Sequence, residues 1–314
     1  MGSAVQLLGA LIVDAIFGYP DSLYRRIQHP VVWMGAVISN LELRWNRGSP
    51  ARRKLLGCVL LVTLLALVGI LAWLAEYAIR QLVPSEYTWL SLVLIAIVGS
   101  SALAQRSLHD HVAAVAAPLA SGDLPSARGA VSKIVGRDTA ALDEHDVSAA
   151  AIESLAESFC DGVVAPALWF LVGGLPGVFI YKCANTADSL IGHREERYRH
   201  FGWCAARTDD VLNLVPARIA GVLLCTAGVG GLKTMLRDAS RHASPNAGWT
   251  EAAMAGVLHR QLGGAVSYDG VAAMRPLFGT GPRPDTTDLA RALRVYRIAC
   301  VLLWMIVGAL AWPW

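Results

Sequence analysis

One uninterrupted apolar run constrains this chain more than any other feature. The segment Leu55–Ala75, LLGCVLLVTLLALVGILAWLA, contains no charged residue. As an α-helix it would be about 30 Å long, which matches the hydrocarbon core of a bilayer. Thr88–Ala104 and Tyr296–Trp312 are two further candidate spans. Three tryptophans are candidate anchors at the membrane–water interface: Trp304, Trp312 and Trp314. The sequence therefore predicts an all-α, polytopic integral membrane protein.

The composition agrees with this class. Of 314 residues, 55% are hydrophobic and only 16% are charged, against about 25% charged in soluble domains. The net charge is +3, and the Lys and Arg residues are spread between the apolar runs, so nucleic-acid binding is not expected. The six cysteines show no CxxC or other ligand spacing, so neither a disulfide framework nor a zinc site is expected.

Three weaker apolar runs carry features that a simple membrane span lacks. Val5–Phe17 is short and contains Asp14. An acid within an apolar span is a candidate functional residue, although pairing near the interface is an equal alternative. Val163–Tyr181 is interrupted at Gly173–Gly177, and Leu214–Leu232 contains a proline, an arginine and several glycines. Broken helices at membrane depth occur where they line a cavity or are buried in protein.

The distribution of Lys and Arg predicts the topology, because cytoplasmic loops carry the excess of positive charge. Residues 18–54 hold seven bases against two acids and are predicted to be cytoplasmic, whereas residues 76–87 hold one base. Residues 182–213 hold five bases and are also predicted to be cytoplasmic. Two full crossings by the weaker runs would place 182–213 outside. Val163–Tyr181 is therefore predicted to be a re-entrant, broken helical segment.

The chain is predicted to form one membrane domain over residues 1–314. Three polar cytoplasmic segments interrupt it: 105–161, 182–213 and 233–295. The first is expected to be a helical insert, with Asp123 as the N-cap of a helix that runs to about Val135. Asp143 or Asp146 is expected to open the next helix.

The insert ends in an acidic helix, ESLAESFCD. Its carboxylates Glu153, Glu157 and Asp161 are four residues apart and would share one helix face. Like charges at this spacing repel, and a divalent cation is the usual compensation. Mg²⁺ needs only one or two carboxylates when substrate phosphates supply the other oxygens. The alternative is a solvated face, but the opposite face is apolar and the helix leads directly into an apolar run.

Polar residues also follow that apolar run. Lys182, Asn185 and Asp188 lie within YKCANTADS. Lys182 would bind phosphate as a point charge, while Asn185 and Asp188 would serve metal or substrate. Lys182 alone would be explained by snorkelling to the lipid headgroups. That alternative leaves the other two residues unexplained.

Two arginine motifs complete the set of candidate residues. Asp209 and Asp210 diverge by about 100° on a helix. One is therefore expected to bind metal and the other to orient Arg207 or Arg218. Arg137, at the turn GRDT, is a candidate bidentate phosphate clamp. The chain has no GxxxxGK[ST] motif, so ATP would not be bound by a Walker loop.

The combination resembles a known family. The stretch from GRDTAALDEHD through ESLAESFCD and YKCANTADS to ARTDDVLNLVPARIAG resembles the signature region of the adenosylcobinamide-phosphate synthases, the CobD/CbiB family of cobalamin biosynthesis. VDAIFGYPD and HPVVWMG resemble the opening motif of that family, and RDASRHASPNAGWTEAAMAGVLHRQLGG its C-terminal motif. The usual Gly-Asp-Pro is here Gly18-Tyr19-Pro20, with the acid displaced to Asp21. Position 19 therefore carries no acid in this chain.

The resemblance implies an ATP-dependent amide ligase. The family joins adenosylcobyric acid to aminopropanol phosphate, or a related amino alcohol, and hydrolyses ATP to ADP and phosphate. A carboxylate is a poor electrophile, so ATP first converts it to an acyl phosphate that the amine attacks. Mg²⁺ and basic side chains would stabilise the charge on the transferring phosphoryl oxygens.

The resemblance also suggests roles for the candidate residues. The Mg²⁺ ligands would come from the acids Glu153, Glu157, Asp161, Asp188, and Asp209 or Asp210. The phosphates would be bound by the bases Arg137, Lys182, Arg207 and Arg218. Substrate would be positioned by Asn185 and Asn213. The catalytic groups would be Glu153, Glu157, Asp188 and Lys182, with one acid accepting the ammonium proton. Trp249, in the loop Ser244–Trp249, is a candidate for stacking on the corrinoid.

The implied location is the cytoplasmic membrane, with a multi-pass chain in the lipid bilayer and the active site on the cytoplasmic side. Other cobalamin-assembly enzymes and a second copy of the chain are possible partners. The competing class is a non-enzymatic membrane carrier or sensor, similar to the AmpE-like proteins. A carrier would place its ionisable groups deep within the spans, whereas most of them here lie outside.

Overall fold

The computed structural model describes residues 2–312, apart from the side chain of Asp21. Trp314, one of the three candidate anchors, lies outside the described residues. The chain is mostly helical and divides into two compact units. Unit 1 comprises residues 2–104, 165–213 and 307–312, and unit 2 comprises residues 105–164 and 214–306.

The helices of unit 1 come from the first third of the chain and from the middle. They are α1 (Gly2–Phe17), α2 (Asp21–Tyr24), α3 (Pro30–Trp45), α4 (Pro50–Leu82), α5 (Thr88–Ser100), α9 (Ala165–Ile191) and α10 (Trp203–Leu212).

Unit 2 combines helices with one pair of strands. Its elements are α6 (Gln105–Ala120), α7 (Leu124–Val131), α8 (Glu144–Phe159), α11 (Leu214–Ala227), α12 (Leu232–Asp238), α13 (Ala247–Leu258), β1 (Leu262–Tyr268), β2 (Val271–Phe278) and most of α14 (Thr286–Ala311).

Four helical stretches among residues 2–312 are long and apolar enough to cross a membrane: Pro50–Leu82, Ser85–Ala120, Glu144–Ile191 and Thr286–Ala311. They include the three strong spans predicted from the sequence, which confirms a helical membrane protein. Helices α10 and α11 are apolar enough only when taken together, and they would add a fifth span if they form one.

Long helices pack closely in unit 1. Leu60, Leu61 and Cys183 meet in a buried core where α4 lies against α9. A Cβ atom at Gly57 would lie 1.9 Å from the backbone oxygen of Phe201, so only glycine permits this approach. Asp14 of α1 is buried at 2% exposure.

Helix α9 is broken where the sequence predicts an interruption. Gly174 adopts φ 60° and ψ −147°, a conformation open essentially to glycine. The freed backbone N–H of Leu175 donates to Oε2 of Glu76 at 3.1 Å, and Glu76 also pairs with Arg80. A carboxylate of α4 thus caps the second half of α9. The re-entrant path of 163–181 stays a prediction.

The helix starts predicted for the polar insert are present in unit 2. The Asp123 side chain accepts from the backbone N–H of Ser126 at the start of α7, although α7 ends at Val131 rather than near Val135. Asp143 and Asp146 form a capping box at the start of α8. After Phe159 the backbone continues as a π-helix over Cys160–Val164.

The sequence-based all-α prediction missed a β-hairpin. Strands β1 and β2 pair antiparallel, with Tyr268 opposite Val271 and Gly264 opposite Arg275. Asp269 and Gly270 form the two-residue turn, both with positive φ (49° and 77°). An Asp-Gly pair is a strong hairpin signal because the favoured turn requires positive φ at both positions.

Candidate functional site

In unit 1, two amides share one buried carboxylate. Asn185 donates from Nδ2 to Oδ1 of Asp209 at 3.2 Å, and Asn213 donates from Nδ2 to Oδ2 at 2.9 Å. The Tyr181 hydroxyl donates to Oδ1 of Asn213 at 3.0 Å. Asp209 is 8% exposed and Asn213 1%. The two oxygens of Asp209 are therefore both engaged by amide donors.

Local structure explains this cluster. Tyr181 and Asn185 are one helical turn apart on α9, and Asp209 lies one turn before Asn213, the C-cap of α10. Helix α10 packs against α9, so the two polar faces meet. The shared carboxylate of Asp209 fixes the orientation of both amides, and Tyr181 also engages the carbonyl oxygen of Asn213.

The adjacent acids of α10 diverge as the helical geometry predicts. Asp210 forms an ion pair with Arg207 at 3.0 Å, with the two side chains 21% and 55% exposed. Asp209 instead binds the amides. Asp210 therefore pairs with Arg207, one of the two bases that the sequence offered, and its orienting role stays a prediction.

Lys182 adds positive charge to unit 1 near His29. His29 lies just before α3 and accepts from the backbone N–H of Val31 through Nδ1 at 3.3 Å. Burial lowers the pKa of His29, and the Lys182 ammonium lowers it further. Both effects favour the neutral imidazole of His29, so the positive charge here comes from Lys182. Sequence analysis did not single out His29, although it opens the HPVVWMG motif.

Unit 2 contains a buried ionic network centred on Glu153. The backbone N–H of Gly263 donates to Oε1 of Glu153 at 2.7 Å. Arg275 donates from Nη1 to Oε2 at 2.6 Å, and Arg137 pairs with the same oxygen. Glu153 is only 2% exposed, and two guanidinium groups lie against its carboxylate.

Arg275 links this carboxylate to a second buried one. Its Nη2 lies 2.7 Å from Oε1 of Glu251 and 3.2 Å from Nε2 of His242. Glu251 lies on α13 and is fully buried. Burial lowers the pKa of Arg275, but Glu251 and Glu153 outweigh that effect and raise it overall, so the guanidinium stays charged.

A third basic group in unit 2 lies over an aromatic ring. The guanidinium carbon of Arg218 is 4.5 Å from the ring centroid of Trp249, and Nη1 donates to Oδ1 of Asn246 at 2.8 Å. Trp249 is thus a cation–π partner of Arg218. Its stacking on a corrinoid stays a prediction.

The predicted acidic face of α8 is not uniform. Glu153 is buried in the network, Glu157 is exposed, and Asp161 is half-buried in the π-helix, whose wider turn moves it off the regular helix register. Among residues 2–312, no three His, Cys, Asp or Glu side chains are grouped as a metal site. Mg²⁺ binding stays a prediction, because one or two carboxylates suffice when phosphates complete the shell.

Fit to Mg²⁺ differs among the predicted ligands. Glu153 and Asp209 have both oxygens engaged by protein donors. The remaining acids are at least partly exposed: Glu157, Asp161, Asp188 and Asp210.

Sequence analysis missed Arg275, Glu251 and His242. Arg275 lies on the hairpin that the Asp-Gly turn would have revealed. Glu251 interrupts the apolar helix AGWTEAAMAGVL, and an acid in such a run is itself a signal. His242 carried no comparable sign.

Comparison with known proteins places the chain. The model of the CobD/Cbib protein family matches residues 7–296. Cobalamin biosynthesis protein CobD of Rhodobacter capsulatus is 47% identical over 318 residues, which cover 100% of this chain and 99% of that protein. The proteins of the same name from Sinorhizobium fredii and Brucella suis are 44% and 46% identical, and the alignments cover 95% and 91% of this chain and 93% and 90% of those proteins. No solved structure matches. Because the family model matches almost the whole chain, this chain belongs to the CobD/CbiB family.

Proposed function

We propose that this protein is an ATP-dependent amide ligase of cobalamin biosynthesis. It would join a carboxylate of adenosylcobyric acid to aminopropanol phosphate, or a related amino alcohol, through a carboxyl phosphate. The observation that carries the proposal is the match of the family model over residues 7–296, together with full-length relatives named cobalamin biosynthesis protein CobD.

The chemistry requires groups that bind phosphate oxygens, because negative charge must be held in place while the phosphoryl group is transferred. Arg137 and Arg218 in unit 2 have guanidinium groups that are held by Glu153 and by Asn246 with Trp249, respectively. Lys182 and Arg207 supply positive charge in unit 1. We assign these four bases to the phosphates of ATP and the amino alcohol.

Amide formation also needs a neutral amine and a positioned carboxyl group. Only the unprotonated amine attacks, so a carboxylate must accept the ammonium proton. Glu157 and Asp188 are the candidates, since each is at least partly exposed. Asn185 and Asn213, oriented by Asp209, would position substrate. Bound Mg²⁺ would neutralise phosphate oxygens, with ligands from Glu157, Asp161, Asp188 or Asp210.

The proposed location is the cytoplasmic membrane, with the site on its cytoplasmic side. The four candidate spans support a membrane location, and the Lys and Arg counts of the loops support the orientation. Other cobalamin-assembly enzymes or a second copy of the chain are proposed partners.

Reconstitution tests the proposal. Protein purified in detergent is incubated with Mg-ATP, adenosylcobyric acid and aminopropanol phosphate, and mass spectrometry looks for adenosylcobinamide phosphate. Glu157→Gln and Lys182→Ala are expected to abolish or strongly reduce the product. Lys233→Ala, which removes an exposed lysine, is the matched control and should retain activity.

Product from the wild type and from Lys233→Ala, but not from the two site variants, would support the ligase. Absence of product from folded wild-type protein with all three substrates would refute it and favour a carrier or sensor.

A further inference from the structure

The surroundings of Glu153 do not suit a metal ligand. Three donors already engage its two oxygens: Gly263, Arg275 and Arg137. A dication bound there would have to displace a guanidinium and would then lie beside two like charges in a site that is 2% exposed to solvent. Both effects are unfavourable, and charge repulsion is strongest where water is excluded.

Arg137 differs from Glu153, because only one of its guanidinium nitrogens is paired among the described residues. A guanidinium carries five N–H groups. Among the described residues, the side chain of Arg137 makes one ion pair, through Nη2 to Glu153, and is 11% exposed. The remaining N–H groups can therefore bind an incoming anion, and the fork geometry suits a phosphate.

The backbone around Arg137 is also fixed. The next residue, Asp138, donates from its backbone N–H to the carbonyl oxygen of Ser267 at 2.8 Å. Its carboxylate accepts from the Ser267 hydroxyl at 2.6 Å and from the backbone N–H of Gly270 at 2.9 Å. The hairpin thus holds the GRDT turn at its tip and Glu153 near its base. Arg137 is constrained through both its backbone and its guanidinium.

Arg275 provides a second guanidinium group beside Glu153 in this buried position. It bridges Glu153 and Glu251, so each of these buried carboxylates has a guanidinium partner. Glu153 is paired with Arg137 as well. A buried carboxylate without such a partner would destabilise the fold. Arg275 therefore positions Glu153, and Glu153 positions Arg137.

We propose that Glu153 is a positioning residue that aims Arg137 at a phosphate group of a substrate, and that it is not a ligand of Mg²⁺. The phosphate belongs either to ATP or to the amino-alcohol phosphate. This inference rests on the proposed function for the identity of the ligand, but its test measures binding and needs no turnover.

The test compares Glu153→Gln, Arg137→Lys and the double variant in the full chain in detergent. Calorimetry without divalent cations measures binding of ATP, aminopropanol phosphate and inorganic phosphate, which distinguishes the two sources. Electron paramagnetic resonance measures binding of Mn²⁺. Glu144→Gln, an exposed acid on the same helix, is the control. If Glu153→Gln does not fold, Glu153→Asp keeps the charge with a shorter reach and is interpreted in the same way.

The proposal predicts that each single variant binds the phosphate ligand about tenfold or more weakly than wild type, because a charge-assisted contact is lost. The double variant should bind phosphate no more weakly than Arg137→Lys does, because both changes act through the same guanidinium group. The dissociation constant of Mn²⁺ should stay within about twofold of wild type, since no metal contact is lost.

Three results would overturn it: weaker Mn²⁺ binding with unchanged phosphate binding in Glu153→Gln, additive effects in the double variant, or no binding of any of the three phosphates by wild type. Failure of the ligase is a separate result. In that case amide product is absent although the binding pattern is as predicted.

Discussion

Two buried acids, Asp209 and Glu153, are each engaged by several protein donors. Asp209 accepts from two amides, and Glu153 accepts from two guanidinium groups and one backbone N–H. Acids that are at least partly exposed lie beside them in sequence: Asp210 next to Asp209, and Glu157 one turn after Glu153. The members of each pair differ in environment, because a buried carboxylate must be satisfied internally whereas a more exposed one can exchange partners.

Asp209→Asn should destabilise the protein by about 1–3 kcal/mol, because the new amide group points a donor at another donor in a buried site. Asp210→Asn should cost about 1 kcal/mol or less, since it breaks a half-exposed ion pair. Thermal unfolding in detergent compares the two neighbours. Equal losses would contradict the different environments assigned to them.

Gly174→Ala should lower the free energy of unfolding by about 1–3 kcal/mol, because φ 60° with ψ −147° strains any residue that has a Cβ atom. The unfolding temperature should fall accordingly. The new Cβ would also lie 2.8 Å from Oε2 of Glu76. Gly173→Ala is the matched control, since its Cβ would meet nothing within 4 Å. If Gly174→Ala left the stability unchanged, α9 would not be broken at this residue.

At the scale of elements, sequence reasoning succeeded where the signal is local. Long apolar runs and the Asp123 and Asp143 caps follow from hydropathy and short-range hydrogen bonding. The break near Gly174 followed from consecutive glycines and a proline. The hairpin was missed although its Asp-Gly turn is also a local signal.

The ionic network could not be predicted in the same way. Glu153 and Arg275 are 122 residues apart in sequence, and their pairing depends on how the hairpin meets α8. The spacing of Glu153, Glu157 and Asp161 correctly indicated an unusual concentration of charge. It did not indicate that arginines would compensate the first of them.

The hairpin should loosen in acid. The Ser267 hydroxyl and the Gly270 N–H hold the pKa of Asp138 below its ordinary value of 3.8. A depressed pKa means that the stabilising contact is present above pH 3.8 and is lost as the pH falls through the folded-state value. Hydrogen exchange of peptides covering residues 262–278, corrected for intrinsic rates, should rise in that range.

Asp138→Ala should show the faster exchange already at pH 7, whereas Asp143→Ala, which removes a helix cap elsewhere in unit 2, should leave the hairpin unchanged. If exchange in the hairpin of Asp138→Ala still rises strongly in acid, another titrating group causes the loosening.

At the scale of the whole molecule, the membrane topology is the least local of the predictions. The structure supplies four candidate spans and a break in α9, and the loop charges supply an orientation. If residues 163–181 re-enter, then residues 182–213 share the side of residues 18–54 and face the cytoplasm.

Cysteine labelling tests this topology in a background where the native cysteines are replaced. The variants Arg47→Cys, Glu86→Cys and Glu196→Cys place thiols at exposed positions. An impermeant maleimide added to intact cells should label only Glu86→Cys, and permeabilisation should expose the other two. Labelling of Glu196→Cys in intact cells would contradict the re-entrant path.

In the proposed reaction, ATP activates a carboxyl group for attack by an amine. The most direct measurement uses adenosylcobyric acid labelled with ¹⁸O in its free carboxyl group, with Mg-ATP and aminopropanol phosphate. Transfer through a carboxyl phosphate predicts one ¹⁸O in the released phosphate, and one ADP, for each amide formed. Absence of the amide, or unlabelled phosphate accompanying it, would contradict the account.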